Sequence, residues 1–179
     1  VIKKENKEAF EETISQRING IEVEYAYQEM ENVPLNIKID RVKPLGTAHA
    51  LYCAKDKVKG PFGLISADDF YGNESFEILS NYLDNNEGIC VVGYPIGATL
   101  SDEGEVKRGV VLSNNNKIET IIESKVKIDG DKVFCTPLNG KPSFEVNKDN
   151  PCSMLMYGFN TDIFEKIETM LIDFLKNAD

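Results

Sequence analysis

Two short segments of this sequence carry groups suited to binding a ligand and a metal ion. The first is the Gly46-Thr47 turn that opens an apolar helix, and the second is the Asp68-Asp69 pair that closes an apolar strand. Glycine lets a flat ring approach the backbone, and N–H groups at a helix start can donate to ligand carbonyls. Mg²⁺ favours one or two carboxylates, with phosphates and water completing its shell. The pattern therefore favours a ligand site at one end of an α/β sheet.

The same residues also have purely structural interpretations, which the sequence leaves open. Asp68-Asp69 can cap the turn before Phe70, and Thr47 is a sound N-cap for an ordinary helix. His49 is the only histidine, and it lies in the first turn of that helix. Because the helix dipole disfavours a charged imidazole there, we expect His49 to pack and hydrogen-bond rather than act as a general base.

Alternating helical and strand patterns position these residues. Apolar spacing predicts helices over residues 5–17, 47–58, 75–83 and 162–176, and strands over residues 21–27, 61–67, 88–94 and 153–159. Three further β-prone segments, at residues 108–113, 117–128 and 133–135, are separated by turn signals, and the first two form a hairpin. The alternation predicts an α/β fold with a mixed, mainly parallel sheet flanked by helices, in a single domain over residues 1–179.

Composition limits the partners of this chain. Its formal net charge is −10, which argues against a nucleic-acid partner or an anionic membrane, because both favour a basic surface. No apolar run approaches the roughly 18–20 residues that a membrane span needs, and no signal-peptide pattern opens the chain, so we expect a cytoplasmic protein. The cysteines, at positions 53, 90, 135 and 152, have neither zinc nor disulfide spacing and are expected to be reduced core residues.

The sequence resembles the sugar-1-phosphate nucleotidylyltransferases over residues 1–178, and most closely the bacterial group similar to UTP–glucose-1-phosphate uridylyltransferase. The resemblance lies in the strings RVKPLGTAHA at residues 41–50, SADDFYG at residues 66–72, RGV at residues 108–110 and SMLMYGF at residues 153–159. It implies the nucleotide-diphospho-sugar transferase (Rossmann-like) fold and a Mg²⁺-dependent reaction. In that reaction an NTP and a sugar 1-phosphate give an NDP-sugar and pyrophosphate. The first candidates for the NTP are UTP and dTTP.

The resemblance also implies roles on the nucleotide side of such a site. Asp68 matches the family's metal-binding, catalytic aspartate. Asp69 is the next residue in the sequence and is expected to bind the nucleotide. Gly46 and Thr47 match the turn that approaches the nucleobase. Gln28 matches the glutamine that reads a pyrimidine edge, and its amide offers the donor and the acceptor that an imide edge requires.

The residues that match the family's sugar-binding positions differ in part from the family pattern. Gly109 matches a glycine whose backbone contacts the sugar hydroxyls, and Glu123 matches a glutamate that accepts hydrogen bonds from them. Lys125 is expected to meet the sugar phosphate, although Ser124-Lys125 replaces the usual Lys-Pro. Leu155 stands where relatives often carry an asparagine, and leucine cannot hydrogen-bond to a sugar. Glu123 and Lys125 also fit a solvated hairpin edge.

The glycine-rich triphosphate loop with its arginine, which opens active relatives, does not occur in the sequence, and Val1 resembles the end of a strand. We therefore expect an N-terminally truncated chain that also lacks its C-terminal end. Residues 1–179 alone are then expected to be inactive. An unpaired sheet edge would also make a homo-oligomer plausible. The alternatives are cytidylyl transfer to a phosphorylated alcohol, a metal-dependent glycosyltransferase of related fold, or a non-catalytic nucleotide- or sugar-binding domain.

Overall fold

A computed structural model describes residues 1–14, 17–36, 45–100, 104–130 and 132–177. The chain divides into two compact units, the first formed by Val1–Phe62 with Asn160–Asp179 and the second by Gly63–Phe159. Whether they form the single domain expected from the sequence stays a prediction. In the described ranges no helix has the length and apolar character needed to cross a bilayer.

Helices and short strands form the first part of the chain, and longer strands form most of the second part. The helices are α1 (Lys7–Thr13), α2 (Thr47–Tyr52), α3 (Asn73–Asn85) and α4 (Ile163–Asn177), and 3-10 turns lie at Lys4–Asn6, Pro34–Asn36 and Ile96–Thr99. The strands are β1 (Arg17–Ile18), β2 (Ile21–Glu22), β3 (Phe62–Leu64), β4 (Cys90–Pro95), β5 (Val106–Asn114), β6 (Lys117–Asp129), β7 (Lys132–Pro137), β8 (Phe144–Asn147) and β9 (Pro151–Phe159).

The first unit is mainly helical. Helix α4 buries Ile163, Phe164, Ile167 and Leu171, whose spacing of one, three and four residues forms one apolar stripe. The Phe164 ring stacks on Phe62, with centroids 5.5 Å apart. The strand predicted over residues 21–27 is present only in part: β2 covers its first two residues, and Tyr27 forms an isolated parallel bridge with Ile2.

Helix α2 begins and ends differently from the prediction. Gly46, not Thr47, is its N-cap residue, and no side chain caps the helix. The helix ends at Tyr52 instead of near residue 58, because the next amides bond three residues back: Ala54 to the Leu51 carbonyl and Lys55 to the Tyr52 carbonyl. Helix α1 is likewise shorter than predicted and ends at Thr13.

The second unit is built on one large sheet, with strand order β3-β9-β5-β6-β7-β8 and β4 also paired with β9. The β4–β9, β5–β9, β5–β6, β6–β7 and β7–β8 pairs are antiparallel, so the prediction of a mainly parallel sheet is wrong for this unit. Asn115 and Asn116 both have positive φ, which closes β5–β6 as the tight hairpin predicted from the sequence. Short connections of this kind allow only antiparallel neighbours, since parallel pairs need a long crossover.

A buried hydrophobic core distinguishes the two faces of this sheet. Its fully buried residues are Ile96, Val110, Val126, Val133, Cys135 and Cys152. Ser124 and Val126 of β6 face this core, whereas Glu123 and Lys125, which alternate with them, are exposed. Strand alternation thus places both predicted sugar-site side chains on the open face of β6.

Candidate active site

The acidic pair lies in the loop that follows β3, and both carboxylates are exposed. The Ser66 hydroxyl donates a hydrogen bond to Oδ1 of Asp68. That bond, with a smaller contribution from the loop backbone, lowers the pKa of Asp68 below its ordinary value. Asp68 is therefore a carboxylate at neutral pH and is held by a neighbouring hydroxyl.

Tyr71 ties this loop to the sheet. Its hydroxyl accepts a hydrogen bond from the Ser66 amide at 2.8 Å and donates one to the Met154 carbonyl of β9, also at 2.8 Å. The Tyr71 side chain is buried, while Phe70 beside it is 96% exposed. Sequence reasoning assigned Tyr71 no role, because its partner on β9 is 83 residues away along the chain.

Strand β9 is irregular where the loop meets it. Its register with β4 passes from Val91↔Tyr157 to Gly93↔Ser153, so residues 154–156 lie opposite the single residue Val92. Within this bulge Leu155 has φ of 61°, a left-handed conformation that non-glycine residues seldom adopt. The Ser153 hydroxyl accepts a hydrogen bond from the Leu155 amide at 3.3 Å, which helps to hold the bulge.

The predicted sugar residues lie together on β5 and β6. Gly109 pairs with Glu123 on β6 and, on its other side, with Ser153 on β9. A Cβ on Gly109 would lie 3.1 Å from Oε1 of Glu123, so the glycine makes room for that carboxylate. Lys125 lies two residues further along β6 and forms a 3.0 Å ion pair with Glu105.

Arg108, next to Gly109, has a structural role. Its Nε donates to Oγ1 of Thr99 at 3.0 Å, and its Nη2 donates to the Thr99 carbonyl. The guanidinium therefore holds the 3-10 turn at Ile96–Thr99 against β5.

Strand β9 connects these groups. Met154 accepts the hydrogen bond of the Asp68 loop, its neighbour Ser153 pairs with Gly109, and Gly109 pairs with Glu123. Within the second unit, a chain of one hydrogen bond and two strand pairings therefore leads from the loop that carries Asp68 and Asp69 to Glu123 on β6.

Gln28, Gly46 and Thr47 lie together in the first unit. The Gln28 amide nitrogen donates to the carbonyl oxygens of Leu45, at 2.5 Å, and Gly46, at 3.3 Å. It therefore fixes the entrance to α2, and Thr47, the first residue of the helix, is exposed. Lys43 and Pro44, which precede the turn, lie outside the described residues.

His49 is a buried neighbour of Gln28. It is 1% exposed, and its Nε2 lies 2.9 Å from the Asn32 carbonyl, to which it donates. The other ring nitrogen, Nδ1, is then an acceptor and lies 3.4 Å from the Gln28 amide nitrogen. The expectation that His49 packs and hydrogen-bonds is confirmed.

The donor chemistry of the loop fits a hard cation. Among the described residues no group of three or more His, Cys, Asp or Glu side chains is placed to hold a metal by itself. Mg²⁺ in phosphate-transfer sites does not need such a cage, because one or two carboxylates act with phosphate oxygens and water. Asp68 and Asp69 are both exposed, and carboxylate oxygens are ligands of the type that Mg²⁺ favours.

A family model described as nucleotidyl transferase matches residues 1–176, which include both units and every candidate residue named above. The matching domain has the nucleotide-diphospho-sugar transferase fold. No curated protein is similar enough to the chain to count as a match.

Proposed function

Since this chain belongs to the nucleotidyl transferase family, we propose that it transfers the nucleotidyl group of UTP or dTTP to a sugar 1-phosphate. The products are an NDP-sugar and pyrophosphate. Family membership supports nucleotidyl transfer in general. The sugar-phosphate acceptor and the pyrimidine base are the finer part of the proposal.

One observation carries the acceptor assignment. Strand β9 joins the Asp68 loop to the Gly109–Glu123 pair within a single unit. A transferase of this type must hold phosphates and sugar hydroxyls side by side, because positioning and electrostatics supply nearly all of the catalysis. The Asp68 loop supplies carboxylates for a cation, and Glu123 on β6 supplies a carboxylate for hydroxyls.

Asp68 is the residue that we assign to Mg²⁺, with Asp69 beside it on the nucleotide side. The ion, when bound, neutralises charge on the phosphates. The attacking group is already an anionic phosphate oxygen: it forms a bond to the α-phosphorus of the NTP while the bond to the pyrophosphate oxygen breaks. No proton has to be removed from this nucleophile, which agrees with the buried, hydrogen-bonded state of His49.

We assign Gln28 to the nucleobase, and its hydrogen bonds indicate which part of its amide is available to the base. Its amide N–H groups point to the carbonyls of Leu45 and Gly46, so the turn and the glutamine form one surface. A pyrimidine N3–H needs an acceptor, and the amide oxygen of Gln28 is the part of the side chain that can serve as one. Gly46 and Thr47 lie beside it, where they can border the ring.

Glu123 is assigned to the sugar hydroxyls, and Lys125 to the sugar phosphate. Both side chains lie on the exposed face of β6. The Lys125–Glu105 pair is about half exposed on each side, and exposed pairs contribute little to stability. A phosphate dianion can therefore replace Glu105 as the partner of Lys125 at small cost.

The experiment is pyrophosphate release by the full-length gene product, with Mg²⁺, a panel of NTPs and several sugar 1-phosphates, together with identification of the product by mass spectrometry. We expect release with UTP or dTTP that depends on the sugar phosphate and on the metal. NTP binding without release would favour a non-catalytic binding domain. Consumption of a sugar nucleotide without pyrophosphate chemistry would favour a glycosyltransferase. Either result contradicts the proposal.

A further inference from the structure

We propose that Tyr71 is a positioning residue, which holds the Asp68 carboxylate in register with the sugar side of the site by joining Ser66 to Met154. The inference rests on the proposed function, in which Asp68 holds the metal. It concerns a residue to which neither the sequence nor the family match assigns a role.

The Tyr71 hydroxyl is a two-sided bridge. It accepts from the Ser66 amide at 2.8 Å and donates to the Met154 carbonyl at 2.8 Å. The ring that carries it is 6% exposed and packs against Phe76 and Tyr94, with both centroid distances 6.2 Å. A buried ring held on two sides leaves the hydroxyl little freedom, so both of its partners are fixed.

Ser66 passes this constraint on to Asp68. Its amide is fixed by Tyr71, and its hydroxyl donates to Oδ1 of Asp68 two residues later. The carboxylate is otherwise exposed, as is Phe70 two residues further along the loop. The Ser66 hydroxyl is therefore a direct link between an open carboxylate and the packed part of the unit.

The position of Met154 on β9 relates this hydrogen bond to the proposed sugar site. Met154 is the first residue of the β9 bulge, and its neighbour Ser153 pairs with Gly109, which in turn pairs with Glu123. One hydroxyl thus sets the Asp68 loop relative to the strand that borders the sugar residues. Displacements of about an ångström in such sites can cost a factor of about a hundred in rate.

The test compares Tyr71→Phe with Tyr94→Phe. Both changes remove one hydroxyl from the same aromatic cluster, but the Tyr94 hydroxyl contacts only the Met156 sulfur, at 3.2 Å, and the Tyr71 carbonyl, at 3.5 Å, among the contacts described. A second pair is Ser66→Ala, which removes the donor to Asp68, and Ser66→Thr, which keeps it. The readouts are Mn²⁺ affinity in the presence of UTP, followed by electron paramagnetic resonance, and the exchange rate of the Ser66 amide.

We expect Tyr71→Phe and Ser66→Ala to weaken Mn²⁺ binding about tenfold, the equivalent of one lost hydrogen bond. Tyr94→Phe and Ser66→Thr should stay near wild type, and only Tyr71→Phe should accelerate Ser66 amide exchange. Equal Mn²⁺ affinity in Tyr71→Phe and Tyr94→Phe overturns the inference, as does a wild-type protein that does not bind Mn²⁺ with UTP. If the expected differences appear in a protein that releases no pyrophosphate, the positioning role stands and the proposed reaction is what fails.

Discussion

The carboxylate of Glu123 lies over Gly109: its Oε1 is 3.1 Å from the position that a Cβ on Gly109 would occupy. The two residues face each other across the β5–β6 ladder. The Cγ2 methyl group of Ile121 borders the same position at 3.1 Å and Cβ of Ser153 at 3.4 Å, so the space over the glycine is bounded on three sides. The conformation of Glu123 therefore depends on the absence of a side chain at residue 109.

Gly109→Ala should displace the Glu123 carboxylate and weaken the sugar site. An added Cβ at 3.1 Å is tighter than ordinary van der Waals contact, and the glutamate side chain is the neighbour that can move. We expect KM for the sugar 1-phosphate to rise about tenfold, as when a hydrogen bond to the substrate is lost, with KM for the NTP unchanged.

The matched control for that change is Gly60→Ala, since a Cβ at Gly60 meets nothing within 4 Å. Steady-state kinetics in both substrates separate the two effects. Equal sugar-phosphate KM values for the two variants would show that Glu123 does not contact the acceptor.

Gly46→Val tests the assignment of the base. A Cβ at Gly46 meets nothing within 4 Å, so a valine side chain has room there and fills the space over the turn. We expect UTP affinity to fall about tenfold or more by steric exclusion. Equilibrium titration with UTP, dTTP, CTP and ATP, with Gly60→Val as control, measures this. Unchanged UTP affinity, or a preference for purines in the wild type, contradicts the assignment.

Leu155→Asn should relieve backbone strain and improve the acceptor site together. A left-handed conformation costs an ordinary L-residue about 1–2 kcal/mol, and asparagine tolerates it better. Urea unfolding should show Leu155→Asn to be about 1 kcal/mol more stable than Leu155→Ala, which loses the same apolar side chain but keeps the strain. The asparagine variant should also have a lower KM for the sugar 1-phosphate. Equal stabilities would mean that the strain is negligible.

Thiol titration tests the burial of the cysteines, which are free in the structure. Cys135 and Cys152 are fully buried, and burial raises the pKa of both thiols, so the reactive thiolate is scarce at pH 8. A disulfide reagent should modify at most two thiols, Cys53 and Cys90, in the native protein and all four in denaturant. Their pKa values are also raised by desolvation, so the native reaction should accelerate as pH rises above the ordinary thiol range. Rapid reaction of all four thiols in native protein would contradict the packing.

Some local patterns were predictable from the sequence, whereas the long-range pairings were not. The β5–β6 hairpin followed from the Asn115-Asn116 turn, and α4 followed from its apolar stripe, because both signals lie within a few residues of one another. The prediction of a mainly parallel sheet was wrong because β4 pairs with β9, some sixty residues later. The prediction required β4 to pair with a strand connected to it through a helix.

The same contrast between local and long-range signals applies to the candidate site. The hairpin prediction was enough to place Gly109 and Glu123 on neighbouring strands. Strand β8 was missed because it is only four residues long, Phe144–Asn147, and half of them are polar. Tyr71 was missed because a tyrosine in a turn gives no sign that its hydroxyl reaches a carbonyl 83 residues away.

The central claim is that Asp68 holds the metal for nucleotidyl transfer, and its most direct test is Mg²⁺-dependent pyrophosphate release by the full-length gene product carrying Asp68→Asn or Asp69→Asn. Both carboxylates are exposed, so neither change should disturb folding. We expect Asp68→Asn to lower kcat/KM about a hundredfold, because removal of one carboxylate leaves phosphate charge uncompensated in the transition state, and Asp69→Asn to lower it less than about tenfold. A near-wild-type rate and Mg²⁺ dependence for Asp68→Asn would contradict the account.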